Sequence, residues 1–328
     1  MIMKNLKTNI CVIGAGYWGL NHIRTLKKLN VLGGIVENNI NTAKSIKKMH
    51  PEILVLNSVD EALEHKKLNA YTIATPAETH YHLAKKIIKA KKSLLIEKPF
   101  TLNIDDAKEI VSLAKKNKIS IMVGHLMLFH PAIRKIKEMI DSGLIGKVQY
   151  IYSNRLNYGK VRTKEDAFWS LAPHDISIFQ YISGDYPCDI TSNGSDILQE
   201  GICDSTITKL SYENGIEGHI FVSWLHPFKE HRLVIIGSEA MISFEDSIDG
   251  KPLKVFSKKY VISGTHPVQK DGPVELIEYE NYEPLLEELS YFIKLDNYSE
   301  NHIANGDHAL DVTKILVEAS KQLEKNKK

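Results

Sequence analysis

Cysteine is nearly absent from this sequence: Cys11, Cys188 and Cys203 are the only three in 328 residues. An odd number, widely spaced and without a C-x-x-C pair, implies neither a disulfide framework nor a zinc knuckle, and a reducing compartment fits best. Arginine is scarce as well, because Arg24, Arg134, Arg155, Arg162 and Arg232 are the whole set. The abundant lysines keep helix faces wet, whereas the few arginines are the stronger candidates for bidentate anion contacts. Neither charge sign is in excess, since Lys+Arg at 42 nearly balances Asp+Glu at 40. That balance argues against a dedicated nucleic-acid binder, which would concentrate positive charge on one face. Long apolar runs are missing too, and none approaches the ~18 residues of a membrane span. Lys4 and Lys7 precede an apolar run from Ile10 in the manner of a signal peptide, but Gly14, Gly16 and Gly19 break it and no cleavage site follows. A soluble, cytoplasmic chain is expected, without nucleic-acid or membrane partners. In such a chain the sequons at Asn193 and Asn297 carry no meaning. None of the 14 histidines falls into H-E-x-x-H or another zinc spacing, so no metal is expected.

What remains is an ordinary globular composition, 43% hydrophobic and 25% charged. The length suits two domains of roughly 150 residues each. Over the first 125 residues, short apolar runs alternate with amphipathic segments. Ile10–Gly14, Val31–Val36, Ile53–Leu56, Tyr71–Ala74, Leu94–Ile96 and Ile119–Val123 show little polar alternation, as strands buried on both faces of a parallel sheet do. Between them, His80–Lys92 places Leu83, Ala84, Ile87 and Ile88 on one side and lysines on the other. Asp105–Asn117 repeats the pattern, with Asn103 as N-cap. The alternation predicts a doubly wound α/β domain of Rossmann type over residues 1–125.

The pattern then changes. Ile216, Gly218, Ile220, Val222 and Trp224 alternate with Glu217, His219, Phe221 and Ser223, and Asn214-Gly215 and Gly237-Ser238 stand between further runs as turn signals. Helical patterns at Pro131–Ser142, Pro173–Ser183, Pro284–Lys294 and Gly306–Lys325 flank these strands. The reading is a C-terminal α+β domain over 126–328, built on an open-faced, mostly antiparallel sheet. Its uncovered apolar rows predict a homodimer or homotetramer.

Gly14-Ala15-Gly16-Tyr17-Trp18-Gly19 matches G-x-G-x-x-G where a buried strand ends and a helix begins. Gly14 permits the turn, Gly16 lets the backbone approach a pyrophosphate, and Gly19 lets helix and sheet pack closely. The N–H groups and positive dipole end of the helix face the phosphates. Glu37, closing the second strand, suits a ribose diol, and no arginine follows to receive a 2′-phosphate, so NAD is expected over NADP. Ala74-Thr75-Pro76-Ala77-Glu78-Thr79-His80 lies at the carboxyl end of the fourth strand, with Thr79 a candidate N-cap and Thr75, Pro76 and His80 candidate cofactor contacts. Glu97-Lys98-Pro99 closes the fifth strand. A lysine there can hydrogen-bond an alcohol oxygen, and burial beside a cationic cofactor would depress its pKa toward the proton-transfer range.

With these two loops, the sequence resembles the Gfo/Idh/MocA family of NAD(P)-dependent sugar and cyclitol oxidoreductases over its whole length. The resemblance implies that Glu97 and Lys98 lie by the cofactor and that Lys98 reaches the reacting hydroxyl or carbonyl. The family's second catalytic element is a helix with Asp-x-x-x-His. Here His174 matches the histidine, Ser170 stands in the aspartate's place, and Asp175 points elsewhere, which leaves Lys98 and His174 as the acid/base pair. The segments 123–134, 152–162, 169–177 and 222–232 resemble the branch acting on nucleotide-linked N-acetylhexosamines, the 3-dehydrogenases of UDP-N-acetylglucosamine or its uronate, whose 3-keto product feeds an aminotransferase. Arg155, Asn157, Lys160 and Arg162 would then form a cationic loop for a pyrophosphate or uronate, with His174 also touching substrate. Two alternatives stand beside this one: a free cyclitol or monosaccharide dehydrogenase, and a non-catalytic NAD-dependent sensor.

Overall fold

The computed structural model describes residues 9–295, 298 and 302–325; Lys4, Lys7 and the Asn297 sequon lie outside these. The six expected strands are β1 (Ile10–Ile13), β2 (Leu32–Val36), β3 (Leu54–Leu56), β4 (Ala70–Ile73), β5 (Ser93–Ile96) and β6 (Ile121–Val123). They pair in parallel in the order β3-β2-β1-β4-β5-β6. Helices α1 (Tyr17–Lys28), α2 (Ile40–Met49), α3 (Val59–Glu64), α4 (His80–Lys89) and α5 (Ile104–Asn117) connect them. Buried Ile, Val and Leu on strands and inner helix faces, including Ala84, Ile87 and Ile88 of α4, form one core. Asn103 caps α5 by accepting the Asp106 N–H at 2.8 Å. Thr79 differs from expectation. It makes no side-chain cap on α4; its hydroxyl donates to the Pro76 carbonyl at 2.7 Å and holds the preceding turn instead.

The compact units are not consecutive pieces of chain, as a division at 125/126 would make them. Residues through Leu126 are joined by Glu283–Thr313, and Met127–Tyr282 by the chain from Lys314 onward. In the first unit, α8 (Pro284–Lys294) packs on α1, and the start of α9 (Gly306–Lys325) places Ala309 in the core. The link is partly sheet-like, because Val123 donates its N–H to the Ala304 carbonyl at 2.9 Å. Periodicity reports which face of α8 and α9 is apolar, but not which core that face meets.

The second unit contains α6 (Pro131–Asp141), β7 (Val148–Tyr158), α7 (Ala167–Ser183), β8 (Asp189–Ser195), β9 (Ser205–Ser211), β10 (Glu217–Ser223), β11 (Leu225–Gly237), β12 (Met241–Glu245), β13 (Leu253–Phe256), β14 (Lys259–Ser263), β15 (His266–Lys270) and β16 (Val274–Ile277). Eight of these strands form a sheet ordered β16-β13-β12-β11-β7-β10-β9-β8, antiparallel except where β7 meets β10, and β14–β15 is a separate hairpin. The Asn214-Gly215 turn joins β9 to β10, with Gly215 at φ +84°. One sheet face lies under α7, so close at Gly218 that an added Cβ would meet the Phe179 ring at 2.9 Å. Helix α7 starts six residues before the expected Pro173. Asp166 caps it by accepting the Trp169 N–H at 2.9 Å, and the proline sits inside the helix, although proline ordinarily marks the first turn. Among the described residues no helix is long and apolar enough to cross a membrane.

Candidate active site

The sheet order reverses between β1 and β4, and ligands of open α/β sheets bind outside the carboxyl strand ends at such a point. A cavity of about 560 Å³ opens there, lined by Gly14, Gly16, Glu37, Thr75 and Pro76 among others. The glycine loop behaves as its spacing requires. Gly14 has φ +89°, and a Cβ on it would strike the Ala74 carbonyl oxygen at 2.8 Å. A Cβ on Gly19 would lie 2.0 Å from the Gly14 carbonyl oxygen, so loop and helix close only with glycine there. Around Gly16 a Cβ would meet nothing within 4 Å. The open side of the loop is therefore where a pyrophosphate fits, above the first turn of a helix that no side chain caps.

Glu37 is already at work inside the protein. Oε2 accepts the Ala15 N–H at 2.9 Å and Oε1 accepts the Asn39 N–H at 2.8 Å. The carboxylate ties the glycine loop to the end of β2 and keeps further lone pairs for a diol. Tyr17 and Trp18 are exposed on α1, with rings edge-on at 5.9 Å. Sequence reading missed Asn38, Asn57, Ser58 and the Asp60–Lys86 ion pair, all of which line the cavity. The rule that ligands sit beyond strand ends could have flagged Asn57-Ser58 after β3.

Six residues expected at the cofactor are not among those lining this cavity: Tyr17, Trp18 and Gly19 of α1, and His80, Glu97 and Lys98. His80 is buried, its ring between two carbonyl oxygens, Pro99 O near Nδ1 and Thr75 O near Nε2, each at 2.9 Å. It is a strut between the turns after β4 and β5. Glu97 turns inward: His22 Nε2 donates to its Oε1 at 2.8 Å, and the Lys98 N–H to its Oε2 at 3.2 Å. Lys98, half-buried, follows β5, and its peptide bond to Pro99 is cis. Near it lies His125, only 1% exposed, with the His308 ring edge-on at 5.3 Å. Burial above all, then His308 and the Lys98 charge, hold the His125 imidazole well below its usual pKa, and burial pushes His308 down to about 4. His125 stands in the 123–134 segment with no role assigned and His308 in no motif, so the sequence did not single them out as a pair.

In the second unit the residues expected to form one cationic loop are divided between a buried strand position and an exposed stretch beyond it. Arg155 lies on β7, buried, and donates from Nε to Asp175 Oδ2 at 2.6 Å and from Nη2 to Oδ1 at 3.1 Å. Its third nitrogen stands 3.5 Å from His231 Nδ1. Burial opposes the charge, but Asp175 outweighs it and raises the guanidinium pKa. His231 is pushed down to about 3, first by burial and then by Arg155. Asn157, near the end of β7, is half-buried, and its Oδ1 has no partner among the described residues. Lys160 and Arg162 are exposed beyond that strand, Arg162 standing 3.6 Å from Glu165. The other arginines are also occupied: Arg24 with Asn21, Arg134 with the Leu128 carbonyl, and Arg232 with Glu245 and Glu230. His174 is half-buried on α7 beside Asp175. Because consecutive helical residues diverge, one neighbour serves the ion pair while the other faces away from it.

A parallel Rossmann sheet with an intact phosphate loop, and a lysine just past an adjacent strand, define a dinucleotide-dependent oxidoreductase. Residues 8–125 match the family described as "Oxidoreductase family, NAD-binding Rossmann fold", and residues 133–243 match the GFO/IDH/MocA C-terminal domain. The chain belongs to the GFO/IDH/MocA family of NAD-binding oxidoreductases. It is similar to UDP-N-acetylglucosamine 3-dehydrogenase of Acidithiobacillus ferrooxidans, 29% identical over 65% of this chain and 66% of that one. The solved structure of that enzyme superposes over 98% of this chain and 99% of its own with a TM-score of 0.85, at 22% identity. Myo-inositol 2-dehydrogenase of Thermotoga maritima is 26% identical over 73% of this chain and 75% of that protein.

Proposed function

We propose that this protein is an NAD-dependent dehydrogenase that oxidises the C3 hydroxyl of a UDP-N-acetylhexosamine, UDP-N-acetylglucosamine or its uronate, to the 3-keto sugar. The observation that carries this reading is the double likeness to the Acidithiobacillus enzyme, in sequence over 65% of the chain and in fold over nearly all of it. NAD held by the glycine loop and Glu37 would supply the acceptor for the hydride. The chain's own part is proton chemistry and placement. Lys98 Nζ takes the hydroxyl proton as the carbonyl forms, with His174 as the second acid/base residue. Tyr17, Trp18 and the Thr75-Pro76 turn frame the cofactor, and Asn157, Lys160 and Arg162 are the polar groups offered to the nucleotide portion. Arg155 is withdrawn from that role by Asp175.

The reading includes a homo-oligomer formed through the open sheet, action in the cytoplasm, and an aminotransferase as consumer of the keto sugar. The free Cys11, Cys188 and Cys203 accord with a reducing compartment. A second reading, oxidation of a free cyclitol, is favoured by the loss of Arg155 from the anion-binding set and by the likeness to the inositol dehydrogenase. Thermal unfolding with a panel of UDP-sugars and free inositols, each with and without NAD, separates the two, because a ligand that binds only the native state raises its stability. Stabilisation by UDP-N-acetylglucosamine or its uronate supports the first reading. Stabilisation by inositols alone replaces it with the second.

A further inference from the structure

His125 is among the most enclosed polar side chains of the first unit, 1% exposed, and neither ring nitrogen has a hydrogen-bond partner among the described residues. Its neighbour His308, on the first turn of α9, also leaves Nε2 unpartnered. Buried polar atoms left without partners are costly, so three in one place mark a site that some donor or acceptor completes. Strand register and the Lys98 charge felt at His125 place a donor nearby. Ile96 of β5 and Val123 of β6 are paired in parallel, and the Gly124 N–H donates to the Ile96 carbonyl at 2.7 Å. Lys98 and His125 are each two residues beyond that pair, so they leave adjacent strands side by side.

We propose that His125, backed by His308, is a positioning residue for Lys98: its neutral imidazole accepts a hydrogen from the Lys98 ammonium and steadies the nitrogen that takes the substrate proton. The balance is simple. The hydroxyl proton moves to the Lys98 amine, which becomes an ammonium, and one ammonium N–H is shared with an imidazole lone pair while the imidazole keeps its own proton. Burial suits this role, because a protonated His125 would repel the ammonium and have no lone pair at that nitrogen. The charged or titratable groups around the pair are Glu97 from the same turn, His22 of α1 and Glu288 of α8 around Glu97, and His308 of α9. The inference rests on the reading of Lys98 as proton acceptor, but not on the identity of the sugar.

Competitive labelling of the Lys98 amine with acetic anhydride across pH, read by mass spectrometry on the cofactor-free full chain, tests it. In His125→Phe the ammonium loses its acceptor, and the Lys98 midpoint should fall by about 0.5–1 pH unit, the worth of one hydrogen bond. In His125→Asn, which keeps an acceptor oxygen, it should stay within roughly 0.3 unit of the parent, well below that shift. A merely structural role would move neither midpoint, and an unmoved His125→Phe midpoint overturns the proposal. Should His125→Phe fail to fold, the nitrogen shifts of the His125 ring in Lys98→Met carry the test on an unaltered histidine. A changed ring shift supports the contact, and an unchanged one refutes it. Undiminished turnover in Lys98→Met would sink the catalytic reading alone, leaving both of these measurements to decide the contact.

Discussion

Arg155 and Asp175 form a two-pronged ion pair, 2.6 Å and 3.1 Å long, between β7 and α7, and both residues are buried. The pair fixes the rotation of α7 about its axis, and with it the direction in which the next residue back, His174, projects. Removing one partner strands a charge in a low-dielectric interior. Asp175→Asn and Arg155→Met should each destabilise the protein by about 3–5 kcal/mol, whereas an apolar pair of similar volume at both positions should cost much less. Urea denaturation of the single and double variants checks this, and a loss in the double variant equal to the sum of the two single losses would show that the pair itself contributes little.

Glu37 should govern both cofactor choice and the shape of the phosphate loop. In Glu37→Ala the Ala15 and Asn39 N–H groups lose their acceptor, and the ribose diol loses its own. NADH affinity should fall roughly tenfold or more, since hydrogen bonds to a charged group are worth about 1.5–3 kcal/mol. NADP binding should fall less, because a carboxylate that repels a 2′-phosphate is gone as well. Fluorescence titration of both nucleotides on parent and variant gives the two ratios. A parent protein that prefers NADP would overturn the assignment of β2.

Lys98→Met should lower turnover by a factor on the order of 10² or more while NAD affinity barely changes, because the amine acts on the reacting oxygen. His174→Ala should lower turnover too, by a smaller factor, since Ser170 cannot orient the imidazole as a carboxylate would. Steady-state rates with UDP-N-acetylglucosamine and its uronate, alongside cofactor titration, separate the two effects. Normal rates in Lys98→Met would reduce the E-K-P sequence to a structural turn.

Glu288 gives a pH dependence of known sign. It is fully buried in α8, neither carboxylate oxygen has a partner among the described residues, and burial followed by the Glu97 charge holds its pKa well above the usual carboxylate range. A raised folded-state pKa means that the native state keeps a proton the unfolded chain releases. This contribution to stability is intact below about pH 4.5 and declines as pH rises toward the folded-state pKa. Glu288→Gln, neutral at every pH, should therefore raise the melting temperature more at pH 8 than at pH 5. An equal shift at both values would show that Glu288 is not protonated in the folded protein.

The sequence by itself determined the elements whose signals are local. Buried β-branched runs become parallel strands because both faces of such a sheet are covered, and the pattern records this directly. The glycine loop was equally legible, since a positive φ at Gly14 and the contact at Gly19 are demands that only glycine meets without strain. Glu37 stands at the end of β2 as the sequence suggests, and its bonds to Ala15 and Asn39 came only with the fold. What tertiary structure decided were the pairings of residues far apart in the chain. Arg155 reads as an anion contact, and only the fold brings Asp175 of α7 against it; His80 and Glu97 read as cofactor contacts, and only the fold gives them their internal partners. His125 and His308 are 183 residues apart and share an enclosed site only because the chain returns to the first unit at Glu283. A side chain's type states what it can bond, but burial and the arrival of a distant partner settle what it does bond.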